Sequence, residues 1–156
     1  MKKYLFCLVL FLSLATITYA QNLDGFLKRV SHTENVDKVK ISGLMMFLGK
    51  KFGGVNDMPL AKGMESLEVY SLSDCSDNLK GDFSKLFYGY KDGKDYETLI
   101  YTKDGNDRVR ILMKKKQDAY REIVLLCMDE TDPTIIRFSG KIKEKDIESL
   151  IGGYKK

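Results

Sequence analysis

The densest group of chemically capable side chains in this sequence is basic. Six cations fall within residues 108–121: Arg108, Arg110, Lys114, Lys115, Lys116 and Arg121. Alternate residues of a strand point to the same face, so Arg108, Arg110 and Lys114 are expected to share one. We predict a binding patch of Arg108, Arg110, Lys114 and Arg121 for an anionic partner, such as an acidic protein, an acidic polysaccharide or a phosphorylated lipid headgroup. A solvated strand face that discourages edge-to-edge aggregation fits the same pattern and stays open as the alternative.

Acid–base and nucleophilic catalysis have little support in the sequence. His32 is the single histidine, and no serine or cysteine nucleophile motif accompanies it, so we interpret it as a surface or capping residue. Hydrolysis by paired carboxylates needs two acids held close together in a cleft. None of the 22 acids stands alone within an apolar run, where a raised pKa is expected. No catalytic residue is therefore predicted, and a hydrolase with an unrecognised carboxylate pair remains the alternative.

Metal and phosphate sites lack their usual spacing. The acidic turn at residues 129–132 has too few oxygen ligands at alternating positions for a calcium loop. The single histidine and the lack of closely spaced cysteines argue against zinc. The glycine pairs at 53–54 and 152–153 fit neither phosphate-binding pattern and are interpreted as helix stops. The sequence therefore predicts no metal and no cofactor.

The first twenty residues predict the compartment. Lys2 and Lys3 precede an apolar run of about 14 residues, shorter than the roughly 20 of a spanning helix, and Ala20 ends a cleavage-like site. We interpret residues 1–20 as a cleavable signal peptide and residues 21–156 as a single exported domain. Cys7 lies inside the apolar run and not at the cleavage point, so no lipid anchor is expected. The periplasm and the extracellular space both remain open.

Composition narrows the class of partner. The formal net charge is +4 and would fall to +2 on loss of the two leader lysines, which is too near neutral for a typical nucleic-acid binder. The hydrophobic content of 44% fits one globular domain, and no segment after the leader is long enough to span a membrane. Cys75 and Cys127 remain in the exported part, and the sequence does not decide whether they pair.

Hydrophobic periodicity predicts an α+β fold. Helical spacing indicates four short helices, at residues 22–31, 44–52, 79–89 and 144–151. Alternation indicates strands at 36–41, 66–72, 96–103, 108–115 and 135–142. An unbroken apolar run at 123–128 indicates that a further strand, at 120–128, is central and covered on both faces. A hairpin turn is expected at 104–107, where Gly105 and Asn106 tolerate positive φ. We expect a β-α-β unit followed by a four-strand meander, with about four short helices packed on a mainly antiparallel sheet.

The order of these motifs resembles a known family. The segments are NLDGFLKRVSHTENVDKVKISGLM, MESLEVYSLSD, DYETLIYTKDGNDRVRILMKKKQDAYREIVLLCMDETD and IIRFSGKIKEKDIESLI. In this order, after a signal peptide, they resemble the secreted, mostly Bacteroidota family catalogued as domain of unknown function 4252. The resemblance implies an exported envelope domain and no established activity or catalytic residue.

Together these features favour a non-enzymatic binding module of the cell envelope. Its expected partner is an envelope protein or an anionic glycan or lipid surface. A small apolar-ligand carrier is a further alternative, and it would require a cavity between the sheet and the helices.

Overall fold

The computed structural model describes residues 22–42, 63–116, 119–145 and 147. The predicted signal peptide, the predicted helix at 44–52 and most of the predicted helix at 144–151 lie outside these residues. Two helices have assigned bounds: α1 (Leu23–His32) and α2 (Asp77–Gly89). Six strands have assigned bounds: β1 (Asp37–Ser42), β2 (Met64–Ser71), β3 (Glu97–Asp104), β4 (Asp107–Lys116), β5 (Ala119–Met128) and β6 (Thr134–Ile142).

The first helix begins at a polar cap and buries one apolar stripe. The Asn22 side chain accepts a hydrogen bond from the Gly25 amide at 3.1 Å, which satisfies one of the free donors of the first turn. Four residues at helical spacing are buried: Leu23, Phe26, Leu27 and Val30. The helix therefore lies where the periodicity predicted it, within one residue at each end.

The second helix follows the same rules. Ser76 caps it by accepting a hydrogen bond from the Leu79 amide at 3.4 Å. Its buried residues are Leu79, Phe83, Leu86 and Phe87, and the Phe83 ring packs on the Phe26 ring of α1 with centroids 6.0 Å apart. This stacked pair joins the two helices into one layer.

All six strands form one antiparallel sheet in the order β1-β2-β6-β5-β4-β3. The β3–β4 hairpin turns at Gly105, whose φ is 58°, a conformation that glycine adopts without a steric penalty. β2 pairs with β6, so the β1–β2 pair lies beside β6, on the side away from β5.

The predicted architecture is therefore wrong in two respects. The described residues contain two helices and not about four, and the strand order is not that of a β-α-β unit followed by a meander. β1 and β2 are antiparallel neighbours, which excludes the parallel crossover. Alternation of apolar residues sets which face of each strand is buried, but it does not select the neighbouring strand, and here β2 pairs with the strand farthest from it in sequence. What remains is an α+β domain in which helices pack on an antiparallel sheet.

The main core lies between the two helices and one face of the sheet, which we call the helix face. Its strand contribution includes Leu112, Val124, Leu126 and Ile135, all fully buried. The opposite face carries a second apolar cluster around Met113, Ile123 and Ile142. β5, which lies between β6 and β4, contributes to both clusters, as its unbroken apolar run predicted.

Candidate functional site

Strand β4 places the predicted basic residues on the helix face. Arg108, Arg110, Leu112 and Lys114 alternate along it, and Leu112 is fully buried beneath the helix layer. Arg108, Arg110 and Lys114 therefore share one face, as predicted. The face is not an open solvated one, because the end of α2 packs against it.

Arg110 lies among three aromatic rings. Its guanidinium carbon is 5.0 Å from the centroid of Tyr101, 5.7 Å from that of Phe87 and 5.8 Å from that of Tyr90. Nη1 donates to the Tyr90 carbonyl oxygen at 3.0 Å, and the buried Nε has no partner among the described residues. The rings favour the cation electrostatically and hold its charge at a fixed place.

Arg108 makes a similar contact nearer the surface. Its guanidinium carbon is 5.6 Å from the Tyr88 centroid, and Nη1 donates to the Tyr88 hydroxyl at 2.9 Å. Lys103 of β3 lies directly opposite Arg108 in the β3–β4 register. Like charges placed opposite one another across a strand pair repel. Asp104 and Asp107 form the next pair of this register, on the other face of the sheet by alternation, and within the described residues neither forms an ion pair with Lys103 or Arg108.

These residues form a surface of aromatic rings and cations at one corner of the sheet. We call it the arginine–tyrosine surface, and it consists of Tyr88, Tyr101, Lys103, Arg108 and Arg110. Tyr88 is 51% exposed and Tyr101 is 49% exposed. Within the described part of the chain, none of the three cations forms an ion pair with a carboxylate.

The other two members of the predicted patch lie elsewhere. Lys114 lies four residues after Arg110 on β4. Its Nζ donates a hydrogen bond to Asp24 Oδ2 of α1 at 2.8 Å. Arg121 lies at the β5 bulge between Tyr120 and Glu122, and its Nε is buried without a partner in the described residues. The structure thus brings Arg108 and Arg110 together and separates them from Lys114 and Arg121; binding of an anion by these four residues stays a prediction.

A second cluster on the helix face consists of alternating acids and bases, and we call it the charged network. Its members are Asp24, Lys40, Glu68, Tyr96, Lys114, Glu122 and Arg137. The Arg137 guanidinium binds Glu68, at 3.2 Å, and Glu122. Lys40 Nζ lies 2.7 Å from Glu68 on the other side, and the Tyr96 hydroxyl lies between Glu122 and Asp24.

The charged network favours the ionised form of two of its acids, Glu68 and Asp24. Burial opposes the charge of Glu68, but bonds from Lys40 and Tyr70 and the charge of Arg137 outweigh it and hold the Glu68 pKa below its usual range. Asp24 behaves alike: burial opposes its charge, and Lys114 and Tyr96 lower its pKa. Burial and the bond to Glu122 raise the pKa of Tyr96 far above its ordinary value.

Neither Asp24 nor Glu68 suits the role of proton donor in a carboxylate-pair hydrolase. Such an enzyme needs a proton donor, which means a carboxyl with a raised pKa. Asp24 and Glu68 have lowered pKa values. A pocket of about 260 Å³ beside Asp24 and Tyr96 is lined by charges of both signs, Lys91, Lys94 and Asp95. The geometry here is that of a structural ion network.

Cysteine and histidine contribute no visible chemistry among the described residues. Cys75 and Cys127 are both free thiols, and burial raises the pKa of each, which lowers thiolate reactivity. His32 ends α1 with Nδ1 2.7 Å from the Lys28 carbonyl oxygen. Within the residues that the structure describes, no three metal-ligating side chains come together.

Sequence reasoning missed the aromatic half of the arginine–tyrosine surface. Tyr101 alternates with Lys103 on β3, and the strand pairing of the 104–107 hairpin places both beside Arg108 and Arg110. That register was readable from the turn. Tyr88 was not readable in the same way, because its position depends on how α2 lies across the sheet.

The fold defines an α+β domain with a six-stranded antiparallel sheet. The family model described as Domain of unknown function (DUF4252) matches residues 30–150, well over half of the chain, so the chain belongs to that family. No curated protein and no solved structure matches it. Among the helices that the structure describes, none has the length and apolar character needed to cross a membrane.

Proposed function

We propose that this chain is an exported, non-enzymatic interaction domain of the cell envelope, and that its arginine–tyrosine surface binds an anionic partner. The observation that supports this most is the set of three cations without a carboxylate partner in the described residues, held beside the half-exposed rings of Tyr88 and Tyr101. Arginine and tyrosine are, with tryptophan, the residues most enriched where binding energy concentrates at interfaces.

The contrast with the charged network supports the assignment. Lys40, Lys114 and Arg137 each lie within 3.2 Å of a carboxylate, so their charge is already compensated. Arg108 and Arg110 donate their hydrogen bonds only to neutral acceptors, a tyrosine hydroxyl and backbone carbonyl oxygens, among the described residues. A neutral acceptor leaves the net positive charge available to attract an anion.

Export rests on the predicted leader. Mass analysis of the native product should give a chain that begins at Gln21, recovered outside the cytosolic fraction. A cytosolic product that begins at Met1 would remove the envelope role.

The binding surface is tested by charge reversal against a defined anionic probe, sulfated dextran coupled to a resin. A Lys103→Glu, Arg108→Glu double variant should elute at clearly lower salt than the unmodified domain, because the electrostatic attraction is lost. Arg110 is left in place since its packing among three rings makes reversal there a test of folding as well. Urea unfolding of the double variant and of the unmodified domain checks that both are folded.

A Lys143→Glu, Lys145→Glu double variant is the matched control, because both lysines are exposed and it changes the net charge equally. It should elute near the unmodified domain. If both double variants shift alike, retention follows net charge and the arginine–tyrosine surface is not the binding site.

A further inference from the structure

We propose that the partner of the arginine–tyrosine surface is an extended acidic polypeptide segment that adds to β3 as a further strand of the sheet. The inference rests on the proposed function and narrows it to one class of partner.

The first step concerns the edge itself. β3 ends the strand order and pairs only with β4, so the backbone groups on its outer side have no strand partner in the described residues. At its start, the Thr98 amide and hydroxyl are bonded by Asp92 Oδ1, at 2.9 and 2.6 Å. Residues 101–104 are all exposed. An open stretch of edge therefore begins at Tyr101.

The second step is a comparison with the other edge strand. On β1, Lys38 Nζ donates to the Ser31 carbonyl oxygen at 2.8 Å, and Lys40 pairs with Glu68. On β3, Lys103 has no such acceptor among the described residues and faces Arg108. Natural edge strands use lysines to repel further strands, but an acidic strand would be attracted here instead.

The third step fixes the pattern of the partner. Side chains of an added strand alternate between the two faces of the sheet. Those on the helix face would lie beside Tyr101 and Lys103 and near Arg108, so acidic residues suit them. Those on the other face would lie beside Ile100 and Thr102, where β-branched residues pack well. The pattern is an alternation of acidic and apolar residues.

A polypeptide is favoured over a glycan or a membrane because only a polypeptide backbone matches the alternating donors and acceptors of a strand edge. The aromatic and cationic side chains could attract any of the three. The backbone edge beside them favours the polypeptide over the other two.

The test uses two synthetic peptides of about eight residues, the length of β3, that alternate glutamate and valine. One is unmodified. The other is N-methylated at alternate residues, which removes the hydrogen-bond donors along one edge of the peptide and leaves its charge unchanged. The unmodified peptide should bind and slow amide hydrogen exchange at residues 101–104. N-methylation should weaken binding by about tenfold or more, since several main-chain hydrogen bonds are lost.

A Lys103→Glu variant should also lose affinity for the unmodified peptide. A Lys116→Glu variant is the control, because Lys116 is exposed and lies at the far end of β4, and it should keep its affinity. Equal binding of the two peptides, or of the two variants, would overturn strand addition. If sulfated dextran binding persists while neither peptide binds, strand addition fails and the proposed function stands. If the unmodified domain binds neither peptide, and its retention on sulfated dextran does not change on charge reversal, the proposed function fails as well.

Discussion

Arg137 shows how a single residue can determine the charge balance of the helix face. Its guanidinium bridges Glu68 and Glu122, whose side chains are only 9% and 14% exposed. Two carboxylates so well buried would be unstable beside one another without a cation between them. Arg137 itself stays charged: burial disfavours its charge, but Glu122 and Glu68 raise its pKa.

Replacement of Arg137 by methionine should destabilise the domain by about 3 kcal/mol, because two buried carboxylates lose their shared cation. The measurement is the free energy of unfolding in urea. Lys85→Met is the control: Lys85 pairs with Asp82 at 3.7 Å, both well exposed, and its loss should change stability by less than about 1 kcal/mol. Similar effects of the two substitutions would show that the charged network contributes nothing special.

The stability of the domain should fall in acid because two acids of the charged network, Asp24 and Glu68, become protonated. Asp24 and Glu68 have folded-state pKa values below their ordinary 3.8 and 4.5. Their contribution is therefore complete above the ordinary values and is lost as the pH falls through the lower folded-state values. Urea unfolding between about pH 7 and 2 should show a decline that begins near pH 4. Glu68→Gln should make that decline shallower; an unchanged pH profile would contradict the role of Glu68.

At the residue scale the sequence predicted the cations but not their partners. Arg108, Arg110 and Lys114 share a face by the two-residue period of a strand, and this is visible in any alternating segment. Whether a cation meets a carboxylate or an aromatic ring depends on contacts distant in sequence, such as Lys114 with Asp24 of α1. No local pattern carries that information.

At the scale of elements, the β2–β6 pairing depends on two glycines. A Cβ on Gly140 would lie 2.1 Å from the Gly63 carbonyl oxygen, and a Cβ on Gly63 would lie 2.2 Å from the Lys141 carbonyl oxygen. The Lys141 amide donates to the Gly63 oxygen at 2.9 Å in the same place. The two backbones approach here more closely than any side chain allows.

Gly140→Ala should therefore destabilise the domain by about 1–3 kcal/mol, since backbone atoms must move to admit the methyl group. Gly81→Ala is the matched control in the middle of α2, where an added Cβ meets nothing within 4 Å. It should stabilise by roughly 0.5–1 kcal/mol, because alanine loses less conformational freedom in a helix. The measurement is again urea unfolding, and equal signs for the two substitutions would contradict the close backbone approach.

The elements themselves were largely predictable, and their arrangement was not. The apolar stripes of α1 and α2 and the turn at Gly105 are local signals, and each marked its element. The strand order is not a local property. β2 pairs with β6, and the paired residues lie 63 (Ser71 with Thr134) to 76 (Met64 with Gly140) positions apart along the chain. Many alternating strands could offer β2 an equivalent face.

At the scale of the whole molecule, the two faces of the sheet differ. The helix face carries the main core, the charged network and, at the β3 corner, the arginine–tyrosine surface. The opposite face bears an apolar row across five strands: Val39, Val69, Ile136, Leu125 and Ile111. Val39, at the β1 edge, is 57% exposed. Cations that form no ion pair in the described part of the chain and half-exposed rings thus lie together at one corner of the helix face, at the edge formed by β3.

The most direct test of binding at that corner is photocrosslinking in producing cells. A photoreactive amino acid replaces Tyr101 in one strain and Lys145, which is distant in sequence and exposed, in another, and the crosslinked peptides are identified by mass spectrometry. We predict that Tyr101 captures one recurrent exported partner through a segment rich in Asp and Glu, and that Lys103→Glu abolishes this capture. Capture that is equal from both positions, or that persists in the Lys103→Glu variant, would contradict the account.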